Sequence, residues 1–454
     1  MENFKIKLYN NTLRTIALSV LSIVGLSSCD SWLDVTDPDI VTPDNLNNEA
    51  GIATLRAGSL ADFAIGMSGS AAGHGATTGL VVMNGLMSDE YEYSGTFPTR
   101  READTRILQN TNGDIDRIFG NLHRGRALAE ATIDLIDVFG GFEDVRSEME
   151  SLVGYVYLSF AESFCSGVTF SKADSSGELI FGDPLTTAEM FQAAADWFDL
   201  AKTSATASSD LDYLARVGKA RALLGLGQIA NAATEVSGVP DDFVYNIEHS
   251  ENSLRQQNGI FIMTSTRRQF SIADGKGDNG LNYRSSNDPR TPWEDRSEPE
   301  KTEFGQDDVT PYFNQLKYAD PSAPLVLASG IEARLIEAEA AAEANDAITV
   351  EDIHTTLRTT MILPALPAED LSGMNTADEL LDYHFAERAF WLYSTGHRHG
   401  DLRRLVREYG RTVADVFPSG TYFKGGTYDT NVTFFVPQSE ANNPNYVGCL
   451  DTNP

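Results

Sequence analysis

Apolar side chains recur at three- and four-residue intervals over most of the chain. In 51–67, Ile52, Leu55, Leu60, Phe63 and Ala64 fall at helical spacings. In 114–139, Ile115, Ile118, Phe119, Leu122, Leu128, Ile133, Leu135 and Ile136 continue the pattern until Gly140-Gly141 stops it. Segment 144–164 repeats it through Met149, Leu152, Val153, Val156, Leu158 and Phe160. This period predicts amphipathic helices that each turn one face to a core. A capping signal at Thr187-Ala188-Glu189 opens a further helix through Met190, Phe191, Ala194, Trp197, Phe198 and Ala201.

Leu211–Leu224 and Ile229–Val236 form a helix–turn–helix broken at Gly225 and Gly227, with Ala215, Ala220, Ala222 and Ala232 permitting close approach. The pair resembles a tetratricopeptide (TPR) hairpin, in which small residues sit where the two helices touch. The pattern returns in Leu325–Ala344 with Val350–Thr360, and in Leu380–Thr395 with Asp401–Tyr409. The expected fold is mainly α, built of TPR-like helical pairs, and such a scaffold presents surfaces without implying chemistry. Residues 240–324 interrupt it with clusters of Gly, Asp, Asn, Arg and Pro. A loop of this length inside a domain is either functional or disordered. The rings of Phe261, Phe270, Tyr283, Trp293, Tyr312, Phe313 and Tyr318 argue for function.

The N-terminus follows a different rule. Lys5, Lys7 and Arg14 precede an apolar stretch from Ile16 to Leu26, and Leu26-Ser27-Ser28-Cys29 closes it. Eleven apolar residues are too few to span a bilayer core of ~30 Å, but suit the central region of a secretory signal. The small residues before Cys29 resemble a bacterial lipobox. Residues 1–28 are therefore expected to be a lipoprotein signal peptide, with Cys29 acylated. Residues 29–50, with Asp30, Asp34, Asp37 and Asp39, are expected to form an acidic tether ahead of a domain over 51–454.

Removing 28 of 454 residues leaves 426, enough for a large core, and takes the net charge from −32 to −34. Such acidity disfavours nucleic acid and anionic lipid, and it says little about a neutral ligand. With Cys29 assigned to lipid, Cys165 and Cys449 remain. In an oxidising compartment they predict one disulfide, the alternative being two buried thiols. No cysteine has zinc-site spacing.

Family resemblance enters at the C-terminal end. Glu387-Arg388, then Gly396-His397-Arg398, then Asp401-Leu402-Arg403-Arg404 resemble the SusD/RagB signature. Further landmarks stand in the family's order: Trp32-Leu33-Asp34 and Pro38, Ser88-Asp89-Glu90, Asp288-Pro289-Arg290, Glu337-Ala338-Glu339-Ala340, and Phe435–Glu440 with Asn443-Pro444-Asn445. The departure is at Leu325–Arg334, where an Arg-rich start is replaced by Ala-Ser-Gly-Ile-Glu-Ala-Arg. The resemblance implies a SusD-like α–α superhelix scaffolding variable loops. It also implies a lipid-anchored nutrient-binding protein on the outer face of the outer membrane. There it would partner a SusC-like TonB-dependent transporter and bind an oligosaccharide or a peptide, with the lipid as its only membrane contact.

Catalytic readings are weaker. His397, His399 and Asp401 form a possible metal cluster, but Arg388, Arg398, Arg403 and Arg404 oppose a cation, so an ion-pair network with Glu387 and Asp401 is expected. Asp89 and Glu90 suggest a carboxylate pair, yet adjacent acids at a helix end are more often solvated or capping. No Gly-x-Ser-x-Gly, phosphate loop or dinucleotide fingerprint occurs. A binding protein without cofactor or metal is expected. The alternatives are a TPR-like protein-binding scaffold and a lipid-anchored exported hydrolase. Ligand contacts are expected on loop aromatics: Tyr91, Tyr93 and Phe97 after an early helix, and Tyr283, Trp293 and Tyr312 in the insertion, with Asn282, Asp288 and Arg290 as polar neighbours.

Overall fold

A computed structural model describes residues 46–73, 77–173, 178–298 and 300–454. The signal peptide, Cys29 and the tether up to residue 45 lie outside the described residues. The chain divides at Asn48, and the unit over Glu49–Pro454 is the one described below.

About half of its longer helices begin at a side chain that caps them. α1 (Glu49–Ser68) is followed by α2 (Leu80–Met87), every residue of which is buried. α3 (Pro98–Thr105) leads to α4 (Gly113–Phe139), whose free N–H groups at Asp114 and Ile115 are capped by the Asn112 side chain. α5 (Glu143–Ser163) follows across the Gly140-Gly141 turn. α6 (Thr187–Ser204) opens with a full capping box, made by Thr186 and Glu189 one residue before the expected position. α7 (Asp210–Gly225) and α8 (Ile229–Val236) are the anticipated hairpin. α9 (Gly330–Glu343), α10 (Ala347–Thr360), α11 (Ala377–Trp391) and α12 (His397–Arg407) are the remaining helices of more than five residues.

Helices pack mainly on near neighbours in the chain: α4 on α5, α5 on α6, α6 on α7, α7 on α8, α8 on α9 and α9 on α10, with α1 also on α4 and α9 on α11. Glycines set the closest approach. An added Cβ at Gly154 or Gly218 would lie 2.9 or 2.3 Å from the ring of Phe198, so α5 and α7 both close on this one side chain of α6. The main core runs continuously from α1 through α9, and a second cluster gathers Leu380, Phe385, Leu402 and Phe417.

The insertion is anchored by short antiparallel pairs. β1 (Tyr91–Tyr93) pairs with β3 (Phe270–Ile272), β4 (Trp293–Asp295) with β5 (Phe313–Gln315), and β2 (Val244–Ile247) with β6 (Leu325–Ser329). This last strand corrects the expected helix start at Leu325. The alternating Leu325 and Leu327 bury one face while the backbone pairs with Val244–Ile247, and the Ser329 hydroxyl then caps α9 at Glu332.

The signature residues are buried, and most of their charges are paired. Asp401 joins Arg388 at 2.9 Å and Arg404 at 3.0 Å, and Arg404 also grips Glu339. His397 meets Glu332 at 3.0 Å, and Arg221 of α7 reaches Glu162 at 2.7 Å. Asp89 is not solvated, contrary to expectation. Arg398 holds it with bonds of 2.7 and 2.9 Å, which ties the end of α2 to α12. Breaking one partner of such a pair would strand a buried charge. Cys165 and Cys449 are joined by a disulfide with a Cα separation of 5.6 Å, linking the end of α5 to the C-terminal tail.

Candidate functional site

Four of the six expected ligand aromatics are buried. Tyr91, Tyr93, Tyr283 and Tyr312 have no exposed surface, so none offers a ring face to a ligand. For Tyr91, Tyr93 and Tyr312 the hydroxyl accounts for the burial, whereas the Tyr283 hydroxyl is buried without a hydrogen-bond partner. A Tyr ring fills a core while its O–H reaches a polar partner. Tyr91 shares a 2.6 Å hydrogen bond with the Ser394 hydroxyl, and Tyr93 accepts from the Phe97 N–H at 2.8 Å. Tyr312 donates to the Thr264 carbonyl and to Asn314. Tyr283 packs 5.2 Å from both Phe390 and Tyr393. Tyr91 of β1 and Tyr283 of the insertion meet at the turn between α11 and α12, while Tyr93 and Tyr312 are held by Phe97 and Thr264. Burial pushes all four phenols above their ordinary value, Tyr93 to about 12.

Arg290, expected as a ligand contact, is likewise structural. Its guanidinium bridges Asp288 and Glu387, with 2.6 Å bonds to each. Asp288 is committed to that pair, whereas Asn282 is exposed.

Trp293 and Phe97 remain accessible. Phe97 is 45% exposed, with the Arg100 guanidinium 5.0 Å from its ring. Trp293 is partly exposed, and its indole N–H donates to the Arg284 carbonyl at 3.1 Å. The pairing of β4 with β5 sets Trp293 opposite Gln315, so Phe313 becomes its diagonal neighbour on one face. The two rings meet edge to face at 5.9 Å. Arg284 lies over Phe313 with its central carbon 3.6 Å from the ring centre. Its backbone is fixed because Asp274 accepts from the N–H groups of Arg284 and Ser285. Burial lowers the Arg284 pKa, against the raising influence of Glu92, Asp274 and Asp295.

The result is a short ridge of Trp293, Arg284 and Phe313, bordered by the exposed polar residues Asn282 and Ser285. Such a ridge can stack the C–H face of a sugar ring and offer hydrogen bonds beside it. Among the described residues no ring contact joins Phe97 to it. Arg284 and Phe313 were missed by sequence reasoning. Phe313 stands out only as one aromatic among many, and its partnership with Trp293 requires the strand register.

No protein-family model matches this sequence, and no curated protein matches it. The fold, in contrast, is shared with many solved structures. A SusD superfamily protein from Parabacteroides distasonis superposes with a TM-score of 0.66 at 13% identity, over 88% of this chain and 98% of its own. A SusD-like protein from Bacteroides fragilis gives 0.63 at 12% identity, over 91% and 99%. A laminarin-binding SusD-like protein gives 0.57 at 14% identity, over 89% and 99%. The fold is SusD-like across nearly the whole described chain.

Proposed function

We propose that this chain is a SusD/RagB-type nutrient receptor: a lipoprotein acylated at Cys29 that captures an oligosaccharide at the cell surface for a TonB-dependent outer-membrane importer. The observation that carries this reading is the fold shared, over most of this chain, with SusD-like structures that include a laminarin-binding one. The secretory signal and lipobox give the anchor, and no helix among the described residues is long and apolar enough to cross a membrane. Binding is favoured over catalysis, because Asp89 and the acids around His397 are taken up by buried arginine pairs.

The Trp293–Arg284–Phe313 ridge is the proposed glycan platform. Titration of the mature chain with a panel of soluble glycans, laminarin among them, is expected to find a ligand. Trp293→Ala and Phe313→Ala should each weaken it about tenfold, the loss of roughly 1.4 kcal/mol, with the melting temperature nearly unchanged. Lower melting temperatures with binding intact would make the ridge structural. If a peptide library bound where every glycan failed, the ligand would be a peptide.

A further inference from the structure

Glu92 sits in the middle of β1, between Tyr91 and Tyr93. Successive side chains of a strand point to opposite faces. The two tyrosines turn into the core, and Glu92 stays partly exposed on the other face, opposite Ser271 of β3. The Ser271 hydroxyl accepts from the Phe313 N–H at 3.2 Å, so this face adjoins the aromatic ridge. Glu92 and Arg284 are close enough for each to favour the other's charge.

The other charged groups around this carboxylate are already committed. Lys276 is buried and directs its three donors to Asp104 at 2.7 Å, to the Tyr91 carbonyl at 2.8 Å and to the Leu86 carbonyl. Asp104 of α3 also accepts from the Tyr93 N–H and the Tyr422 hydroxyl. Asp274 takes the N–H groups of Arg284 and Ser285 and the Ser285 hydroxyl. Asp295 accepts from the N–H and hydroxyl of Ser297. Glu92 and Arg284 differ. Both are partly exposed, and among the described residues neither side chain makes an ion pair or a hydrogen bond. Arg284 Nε is closed off, which leaves Nη1 and Nη2 as its donors. A carboxylate accepts from hydroxyls and a guanidinium donates to them, and adjacent sugar hydroxyls can serve both.

We propose that Glu92 sets ligand choice at the ridge: its carboxylate accepts from hydroxyls of a sugar stacked on Trp293 and Phe313, while Arg284 donates to a neighbouring sugar oxygen. The ligand is then a neutral glycan. Glu92, Asp274 and Asp295 surround the one guanidinium, so a uronate or sulfate would meet more negative charge than positive. This inference rests on the glycan reading of the ridge.

The test is calorimetric titration of the mature chain with neutral laminarin, xyloglucan and galactomannan, and with anionic polygalacturonate and alginate. The parent should bind at least one neutral glycan and neither polyanion. Glu92→Gln keeps the shape and removes the charge. At about pH 8 it should weaken neutral-glycan binding about tenfold or more, because hydrogen bonds to a charged group are the stronger ones. Its melting temperature should not fall. Burial pushes Glu92 up to about 7, with Asp104 and Asp274 adding to the rise and Lys276 and Arg284 opposing it. The phenols of Tyr422 and Tyr428, on the facing C-terminal segment, are held far above their ordinary value and stay neutral. Parent affinity should therefore fall from about pH 8 to about pH 5.5 as the carboxylate takes up its proton, and the affinity of Glu92→Gln should not. Glu90 also titrates in this range, but it bonds Ser394 and is kept in Glu92→Gln, so the variant separates the two carboxylates. Failure to bind any of the neutral glycans would overturn this inference together with the glycan reading. Binding that Trp293→Ala weakens and Glu92→Gln leaves unchanged would overturn this inference alone. So would a pH dependence that survives in Glu92→Gln, or a polyanion bound more tightly than every neutral glycan.

Discussion

Glu90 is wholly buried beside Asp89. Its Oε1 accepts from the Ser394 N–H at 2.7 Å, while Oε2 has no hydrogen-bond partner. Burial is the main cause that raises its carboxyl to about 8. Neighbouring Asp89 adds to the rise, and the cations Arg398 and Lys317 oppose it. The native state therefore keeps a proton that the unfolded chain releases near the ordinary carboxylate range. This contribution to stability is fully present below that range and is lost as pH rises through about 8. Glu90→Gln is neutral at every pH and keeps a carbonyl for Ser394. The variant should melt with the parent at about pH 5 and a few degrees above it at about pH 8.5. Melting curves at both values test this, and an equal difference at the two would mean Glu90 does not titrate in between.

At the scale of elements, close helix approach decides which small residues matter. Gly154 and Gly218 lie against the fully buried Phe198 ring, which also packs edge to face on Tyr155 at 4.9 Å. Gly218→Ala forces that ring off its position, and such overpacking should destabilise the chain by about 1–3 kcal/mol. Gly238, exposed beyond the end of α8, has open space where a Cβ would go, so Gly238→Ala should stay within roughly ±0.5 kcal/mol. Urea denaturation of the two variants distinguishes packing from a general intolerance of glycine loss. The same scale explains a misreading. Leu325–Ser329 is rich in Leu, Val and Ala and suits helix and strand alike. Its partner Val244–Ile247, far upstream in sequence, settles it as a strand.

For the molecule as a whole, the disulfide between Cys165 and Cys449 spans a sequence separation of 284 residues. Backbone bonds reinforce the link. Cys165 N–H donates to the Phe434 carbonyl at 2.9 Å and Leu450 N–H to the Ser166 carbonyl at 2.7 Å. Closing so long a loop restricts the unfolded chain, so Cys449→Ser should lower stability by about 2–5 kcal/mol. The urea midpoint of the variant and of the reduced parent should fall together. Unchanged midpoints would mean that the tail is held by its hydrogen bonds alone.

Along the chain, local period and local chemistry were enough to place most of the helices. The amphipathic helices, the α7–α8 hairpin, the Gly140-Gly141 break and the opening of α6 were legible because a helix face repeats within one or two turns. The order of the signature residues pointed to the SusD-like fold that the solved structures share. The roles of individual side chains were not legible, because they depend on which distant segments meet. Tyr91 and Tyr283 share the composition of a ligand platform, and only the insertion's return onto the turn between α11 and α12 buries them. Arg284 and Phe313 flank Trp293 only through the register of β4 and β5. Burial and pairing are properties of a three-dimensional neighbourhood, and hydrophobic period specifies which face turns inward without specifying what it meets there.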